Sequence, residues 1–300
     1  MLTVVIPSYN HESYIGECLA AASKIKLENL KILVIDDGST DQTASLVKGF
    51  IEKNKAINIG LIEKKNSGLV SSLNLALQVV ETEYIYICAS DDVPDFIGVE
   101  KCYSILLRHK KLGFCIGGAT NFNDQSGEIS NTYGKQHIAF FSTDFSSNED
   151  VLFLKYPAPL LLQSTVFKKS ALIGIGGWDE TLKWDDYPVF VKLLKKYKYG
   201  LDRDFVFVPD INVVRYRHHG NNTYSNVSNQ FFMVQQAMSK LAGQRIKDKA
   251  IGMKAAYYML LSIRNIEPKA FFEIFKQCSV SVKIKLPYYM GLYFFERISK

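Results

Sequence analysis

The sequence predicts an α/β fold built on a mainly parallel central sheet flanked by helices, followed by a C-terminal helical extension. Three observations predict it. Short, near-continuous apolar runs alternate with amphipathic helical segments through the first third of the chain. Each of those runs ends in small polar or acidic residues. From Gln230 onward the chain turns helical and basic, with 12 Lys and Arg against 4 Asp and Glu, while the rest carries 24 against 26.

The elements follow in order. LTVVIP (2–7) reads as a buried strand, and Tyr14, Ile15, Cys18, Leu19 and Ala22 then share one helical face. LKILVID (30–36) is a second strand. Ser39 and Gln42 stand at capping-box spacing, predicting a helix that carries Leu46, Val47, Phe50 and Ile51 inward. INIGLI (57–62) is a third strand, and Val70, Leu73, Leu77 and Val80 mark a third helix. EYIYICA (83–89) is the fourth strand. Apolar strands separated by amphipathic helices imply a parallel sheet covered on both faces, and such sheets bind ligands beyond the carboxyl ends of their strands. Further on, GFCIGGATNF (113–122) reads as a strand, LLLQSTVFKKSAL (160–172) as a strand entering a helix, and 176–196 as a turn, a loop and a helix with Val189, Leu193 and Leu194 inward.

Composition narrows the class. The 300 residues are 47% hydrophobic and 22% charged, an ordinary globular balance with room for one large or two smaller domains. The five cysteines form no CxxC pair and read as reduced core residues of a cytosolic protein. Met1 leads at once into a strand, so no cleavable leader is expected, and no run of about 18 apolar residues predicts a spanning helix. Neither a dinucleotide fingerprint nor a phosphate-binding loop of the GxxxxGK[ST] type is present.

Polar groups gather at the strand ends: Pro7-Ser8-Tyr9-Asn10, Asp36-Asp37-Gly38-Ser39, Asn66-Ser67-Gly68 and Ser90-Asp91-Asp92. A single Asp, Ser or Asn per loop is ordinary capping chemistry, and paired carboxylates exceed it. A further acidic pair, Asp185-Asp186, precedes the helix predicted at the end of the 176–196 stretch. Asp92 also fits a cap on the helix that follows it. Adjacent carboxylates at a sheet edge supply hard oxygen ligands for Mn²⁺ or Mg²⁺, ions that bridge to substrate phosphates.

VVIPSYN, VIDDGSTD, CASDD and GGWDETLKWDDY, in this order, resemble family 2 glycosyltransferases with the GT-A fold, over roughly residues 1–225. The resemblance implies a nucleotide-sugar-binding half at 1–95, an acceptor-binding half carrying the catalytic base at 96–225, and a tail at 226–300. It implies an inverting, Mn²⁺- or Mg²⁺-dependent transfer from a UDP-sugar to a hydroxyl of a saccharide, lipid-linked as in bacterial surface-polysaccharide, O-antigen or capsule assembly. Asp92 would ligate the metal, with Asp91 at the ribose or a metal-bound water. Asp37 would accept the N3–H of uracil, with Pro7, Ser8, Tyr9 and Asn10 lining base and ribose. Asn66 and Gly68 match an NxG loop near the nucleotide. Relatives often follow that loop with Arg-Asn where this chain has Leu73-Asn74, so Asn74 also fits a buried structural amide.

Asp186 matches the second residue of the family's "ED" motif, the base that takes the acceptor proton. Asp185 stands in place of the usual Glu, and Pro188 where an acid is frequent. Trp184 and Asp185 would face the acceptor, Trp184 fitting the core equally well, and Gln163-Ser164-Thr165 resembles an acceptor-side strand. YRHHGNN (216–222) resembles a YRxHG segment, making His219 a metal ligand or diphosphate contact and Arg217 a phosphate contact.

In the tail, Tyr288, Tyr289, Tyr293, Phe294 and Phe295 mix with Lys283, Lys285, Arg297 and Lys300. Rings and cations together suit a membrane surface, and a helix packed on the catalytic domain suits them as well. No reading motif accompanies the charge, so nucleic acid is not expected. The expected location is the cytoplasmic face of the cell membrane. A catalytically silent sugar-nucleotide-binding or scaffold protein of the same fold is the alternative from another class. A nucleotidyltransferase is a second enzyme alternative, though it would need a Gly-rich, basic triphosphate loop.

Overall fold

The computed structural model describes residues 1–124, 126–143, 145, 148–182, 184–219 and 226–298, with side chains in the last helix through 295. The first elements are β1 (Leu2–Ser8), α1 (Ile15–Ala22), β2 (Lys31–Asp36), α2 (Thr43–Lys53), β3 (Ile59–Glu63), α3 (Leu69–Val79) and β4 (Tyr84–Ile87). Next come β5 (Val93–Pro94), α4 (Phe96–Arg108), β6 (Phe114–Asn123), β7 (Ile129–Asn131), α5 (Lys135–Phe141) and α6 (Glu149–Leu154). A 3-10 turn (Leu162–Ser164) leads into β8 (Thr165–Lys168), α7 (Lys169–Gly174), α8 (Asp186–Lys196) and β9 (Phe205–His218). The chain continues through α9 (Val227–Leu241), α10 (Gln244–Arg264), α11 (Pro268–Gln277) and α12 (Val280–Ile298).

Two compact units result. The first takes Met1–Thr143, Pro157–Glu180 and Asp185–His219 and holds the sheet, in the order β3-β2-β1-β4-β8-β6-β9-β5 with β7 on β6. β3, β2, β1 and β4 are parallel, so the loops after all four open at one edge. β8 then runs antiparallel between β4 and β6. The expected mainly parallel sheet is therefore mixed, and the reversal is made by a strand from much later in the chain. β6 and β9 run parallel, with a register shift at Gly117–Gly118. β9, which the sequence reading did not anticipate, also pairs with β5, so the segments before and after residue 95 share one sheet.

Burial explains why these segments are strands. Every residue of β1 and β4 is buried, as expected for parallel strands covered on both faces. Two local details correct the sequence reading. α2 begins at Thr43 behind Gln42, because Ser39 Oγ is spent on Asp36 Oδ2 (2.6 Å) rather than on a helix start. α4 is capped by Asp95, whose Oδ1 accepts from Gly98 N at 3.1 Å, so Asp92 is free of that duty. Gly98 has no room for a side chain: a Cβ there would lie 1.6 Å from Asn212 O in β9.

The second unit comprises the stretch around α6, Thr181–Trp184 and the C-terminal helices. Its core includes Phe231, Met238, Ile246, Ala255, Met259, Ile274 and Leu286. Asn226 caps α9, accepting from Asn229 N at 3.0 Å, and Pro268 opens α11, where its missing N–H costs nothing. Gly252 lets α12 lie directly against α10, since a Cβ would meet the Tyr289 ring at 2.2 Å. Among the described residues no helix is long and apolar enough to cross a membrane. All five cysteines are buried free thiols.

Candidate active site

The loops after β1 and β2 are laced together. Asn10, at φ 51, donates its N–H to Ser39 Oγ (2.9 Å), and its Oδ1 accepts from Thr40 N (2.8 Å). His11 N donates to Thr43 Oγ1 at 2.9 Å, and Glu12 Oε2 accepts from Gln42 N at 2.8 Å. Pro7 and Ser8 are buried in β1, whereas Tyr9 stands 44% exposed at the rim.

The first acidic pair divides its work. Asp36 holds its own turn, accepting from Ser39 N and Ser39 Oγ. Asp37, buried, reaches across to the loop after β3. Its Oδ1 accepts from Ser67 N (2.9 Å) and pairs with Lys64, and its Oδ2 accepts from Gly68 N (2.7 Å). Gly38, at φ 75, is required there twice over, because a Cβ would also sit 2.8 Å from Asn66 N. Asn66 and Gly68 are themselves exposed at this edge.

The second pair divides more sharply. Asp92 turns inward, 1% exposed, with Oδ1 accepting from Arg217 N (2.8 Å) and Oδ2 buried without a hydrogen bond of ordinary geometry. Burial first, and Asp91 second, raise its pKa well above the carboxylate range, while Arg217 N–H and the neighbouring Gln163 amide pull it back. Asp91 turns outward to His219, with Oδ2 3.0 Å from Nε2, and its Oδ1 lies 4.0 Å from His11 Nδ1. The expected roles thus meet the opposite burial: Asp92, expected at the metal, is the inner carboxylate, and Asp91, expected at the ribose, is the one beside a histidine.

Arg217 was expected at phosphate. Its fork is committed within the protein: Nε donates to Asp91 O (2.7 Å), one terminal nitrogen pairs with Asp124 and the other with Glu17. It is 5% exposed and lies over the rings of Tyr14 and Phe122. The guanidinium therefore clamps the end of β9 to the acidic loop, and a phosphate contact would require it to surrender a partner.

His11 belongs to this cluster and the sequence reading passed over it. Its Nδ1 is 2.7 Å from Ser90 Oγ, and its ring meets those of Tyr14 and His219 edge-on. Burial lowers its pKa, with Asp91 opposing and His219 adding to the fall. Nothing in a lone His after a PSYN stretch signals this. The signal is the return of β9, which brings residue 219 back to the loop of residue 11.

The motifs imply a divalent cation beside these groups. Among the described residues no three His, Cys, Asp or Glu side chains form a ready cage. A small divalent cation on a diphosphate needs only one or two protein ligands, since water and phosphate oxygens supply the rest. The Asp91–His219 pair meets that need: one hard oxygen and one imidazole nitrogen converge at 3.0 Å.

Asp186 opens α8 and is 8% exposed. Its Oδ1 accepts from Leu162 N at 2.8 Å. Burial raises its pKa well above the carboxylate range, with Asp185 and then Asp92 adding charge repulsion against Leu162 N–H. Burial raises Asp185 as well. The 3-10 turn of 162–164 thus links both acidic sites, Leu162 on Asp186 and Gln163 beside Asp92. Tyr133 fastens the turn, its hydroxyl 2.6 Å from Ser164 Oγ and accepting from Leu161 N at 2.9 Å.

Asn74 and Trp184 were each open to a structural reading. Asn74 is a structural amide: Nδ2 donates to Trp178 O and Oδ1 accepts from Trp178 N, both at 3.0 Å. Trp184 is half-buried and belongs to the second unit. In the YRHHGNN stretch, Gly220, Asn221 and Asn222 lie outside the described residues, as do the side chain of Arg297 and all of Lys300.

A mixed sheet with acidic pairs at the ends of two of its parallel strands, and a third acidic pair opening a later helix, is the GT-A architecture of nucleotide-sugar transferases. Staphylococcus aureus TarS (residues 1–349, in complex with UDP-GlcNAc) shares it, with a TM-score of 0.60 and 16% identity over 97% of this chain and 80% of that one. The chain belongs to glycosyl transferase family 2, whose profile matches residues 3–164. The glycosyltransferase GlyG of Streptococcus pneumoniae is 28% identical over 43% of this chain and 42% of its own. The chondroitin synthase of Pasteurella multocida is 29% identical over 44% of this chain and 14% of its own. The chain thus spans less than half the length of these two curated relatives.

Proposed function

We propose that the protein transfers a sugar from a UDP-sugar to a hydroxyl of a saccharide acceptor, with inversion at the anomeric carbon. The observation that carries this is one short turn, 162–164, joining a buried carboxylate of raised basicity to the acidic strand end that faces a histidine. Asp186 takes the proton of the acceptor hydroxyl as its oxygen forms the new bond to the anomeric carbon. The bond from that carbon to the diphosphate oxygen breaks on the opposite face, so an α-linked donor yields a β-linked product. Asp185 raises the basicity of its neighbour and lies on the acceptor side.

Mn²⁺ or Mg²⁺ held by Asp91 and His219 would offset charge on the departing diphosphate. This assignment moves the metal from Asp92 to Asp91, because Asp92 is buried under Arg217 N–H. Tyr9, exposed at the rim, and the Asn66–Gly68 loop line the nucleotide, with Asp37 holding that loop and facing uracil. A UDP donor is supported by the UDP-GlcNAc complex of TarS. A polysaccharide product is favoured by a relative named chondroitin synthase, and a lipid-linked acceptor is the finer reading that the family resemblance suggests.

The test is UDP release from a panel of UDP-sugars and saccharide acceptors with Mn²⁺, alongside Mn²⁺ binding followed by electron paramagnetic resonance in the presence of UDP. Asp91→Asn should lower Mn²⁺ affinity by about 10-fold or more, and Asp92→Asn much less. Equal losses would overturn the metal assignment. Tight UDP binding with no transfer to any acceptor would favour a silent nucleotide-sugar binder instead.

A further inference from the structure

α12 is apolar on two faces, one buried and the other largely exposed. Val282, Leu286 and Tyr289 are buried within the helical unit. Val280, Ile284, Tyr288 and Phe295 recur at helical spacing on a second stripe and are 72%, 75%, 62% and 71% exposed. A helix in a water-soluble surface normally carries polar residues there. The preceding helix adds to the same chemistry, with Phe272 62% exposed although Ala270 and Ile274 are buried. Isolated exposed apolar residues need no explanation, but a repeated stripe does.

The charges say what would cover it. From Ile263 to Phe295 the chain carries Arg264, Lys269, Lys276, Lys283 and Lys285 against Glu267 and Glu273. Glu273 is partly engaged inside the unit by Ser228 Oγ at 2.7 Å. Lys283 arches over the Phe275 ring, 5.3 Å from its centre, so an aliphatic stem covers apolar surface while the ammonium stays at its edge. Aromatic rings, aliphatic side chains and lysines without matching acids describe a surface complementary to an anionic, partly apolar layer. A second copy of this face would set lysines against lysines, which disfavours self-association. With no helix among the described residues able to span a bilayer, the chemistry is that of lying on it.

We propose that the outward face of α11 and α12 docks on the surface of an anionic lipid bilayer, inserting Ile284, Tyr288 and Phe295 at headgroup depth with Lys276 and Lys285 on the lipid phosphates. The inference goes beyond the transfer reaction and stands if that reading fails.

The experiment is co-sedimentation of the full chain with phosphatidylcholine vesicles and with vesicles carrying phosphatidylglycerol. The wild-type chain should partition onto the anionic vesicles and weaken with added salt. A triple variant, Ile284→Ser, Tyr288→Ser and Phe295→Ser, should lose binding about tenfold or more, because both apolar insertion and charge contribute. Lys276→Gln and Lys285→Gln should each weaken it roughly fivefold, the factor that corresponds to about 1 kcal/mol per lysine. These side chains are exposed, so a circular-dichroism melt should match wild type and separate lost docking from lost folding. Equal binding to both vesicle types, or an unchanged triple variant, overturns the proposal. So does a dimer in light scattering that the triple variant converts to monomer without any vesicle binding by the wild-type chain.

Discussion

Asp186→Asn isolates chemistry from architecture more cleanly than any other change in this protein. The carboxylate accepts one backbone hydrogen bond, from Leu162 N at 2.8 Å, and an Asn side-chain oxygen accepts it equally well. Shape and volume are kept, so the 3-10 turn stays in place. What is lost is the ability to take a proton, and a positioned general base contributes about 10²–10⁴ in rate. The corresponding rise in barrier is about 3–5 kcal/mol. Stability should move the other way. Burial and Asp185 raise the folded-state pKa above the unfolded one, so the folded chain binds the extra proton between those two values. Native stability therefore falls as pH climbs from the unfolded pKa through the raised folded one, and the Asn variant is spared that fall. The assay is initial-rate UDP release at saturating donor, paired with UDP affinity by calorimetry and a thermal melt at neutral pH. The expected triad is a kcat down at least 100-fold, unchanged UDP affinity and a melt no lower than wild type. The wild-type rate should also fall with acidification at a pH above the usual carboxylate range, as Asp186 protonates. A variant within a fewfold of the wild-type rate would refute the assignment.

Three further outcomes follow from the packing. Gly98→Ala forces a Cβ to within 1.6 Å of Asn212 O, so α4 and β9 must part; the melt should drop by about 10 °C, for a cost of roughly 3 kcal/mol or more. Asn74→Leu strands both the N–H and the C=O of Trp178, and should cost about 2–3 kcal/mol in a urea titration while leaving Mn²⁺ binding intact. Arg217→Lys keeps the charge but loses the fork that holds Asp91 O, Glu17 and Asp124 together. Equilibrium unfolding should show a loss of about 2 kcal/mol, and the Mn²⁺ affinity measured with UDP should fall with it.

The parallel half of the sheet was legible because β1 and β4 are buried throughout and read as apolar runs, and because β2 and the half-exposed β3 still carry short aliphatic stretches of the same kind. β9 was not. FVFVPDINVVRYRH interrupts its apolar residues with Pro209-Asp210, and its partners are set by pairing with β6 and β5, far away in sequence. Ser39 misled for a related reason. Capping-box spacing is local, but Asp36 competes for the same hydroxyl and the helix starts four residues later. At the site, the acidic pairs announced themselves by composition, whereas the division of labour inside each pair depends on what covers them. Asp92 is an inner carboxylate, with Arg217 N from β9 and Gln163 from the 3-10 turn both reaching it from far along the chain. His11 could not be found from the sequence for the same reason, since its neighbours Ser90 and His219 come from two other strand ends.

The 3-10 turn at 162–164 has a consequence for how such a protein can change over time. Leu162 meets Asp186 through its main-chain N–H, so the turn's side chain there is irrelevant to the contact. The position of Asp186 against the turn is thereby held by main-chain geometry, while the link from the turn to Asp92 runs through the Gln163 side chain. Under the proposed mechanism, substitutions in the rim loops that leave this turn in place alter what binds there without disturbing the Leu162–Asp186 contact.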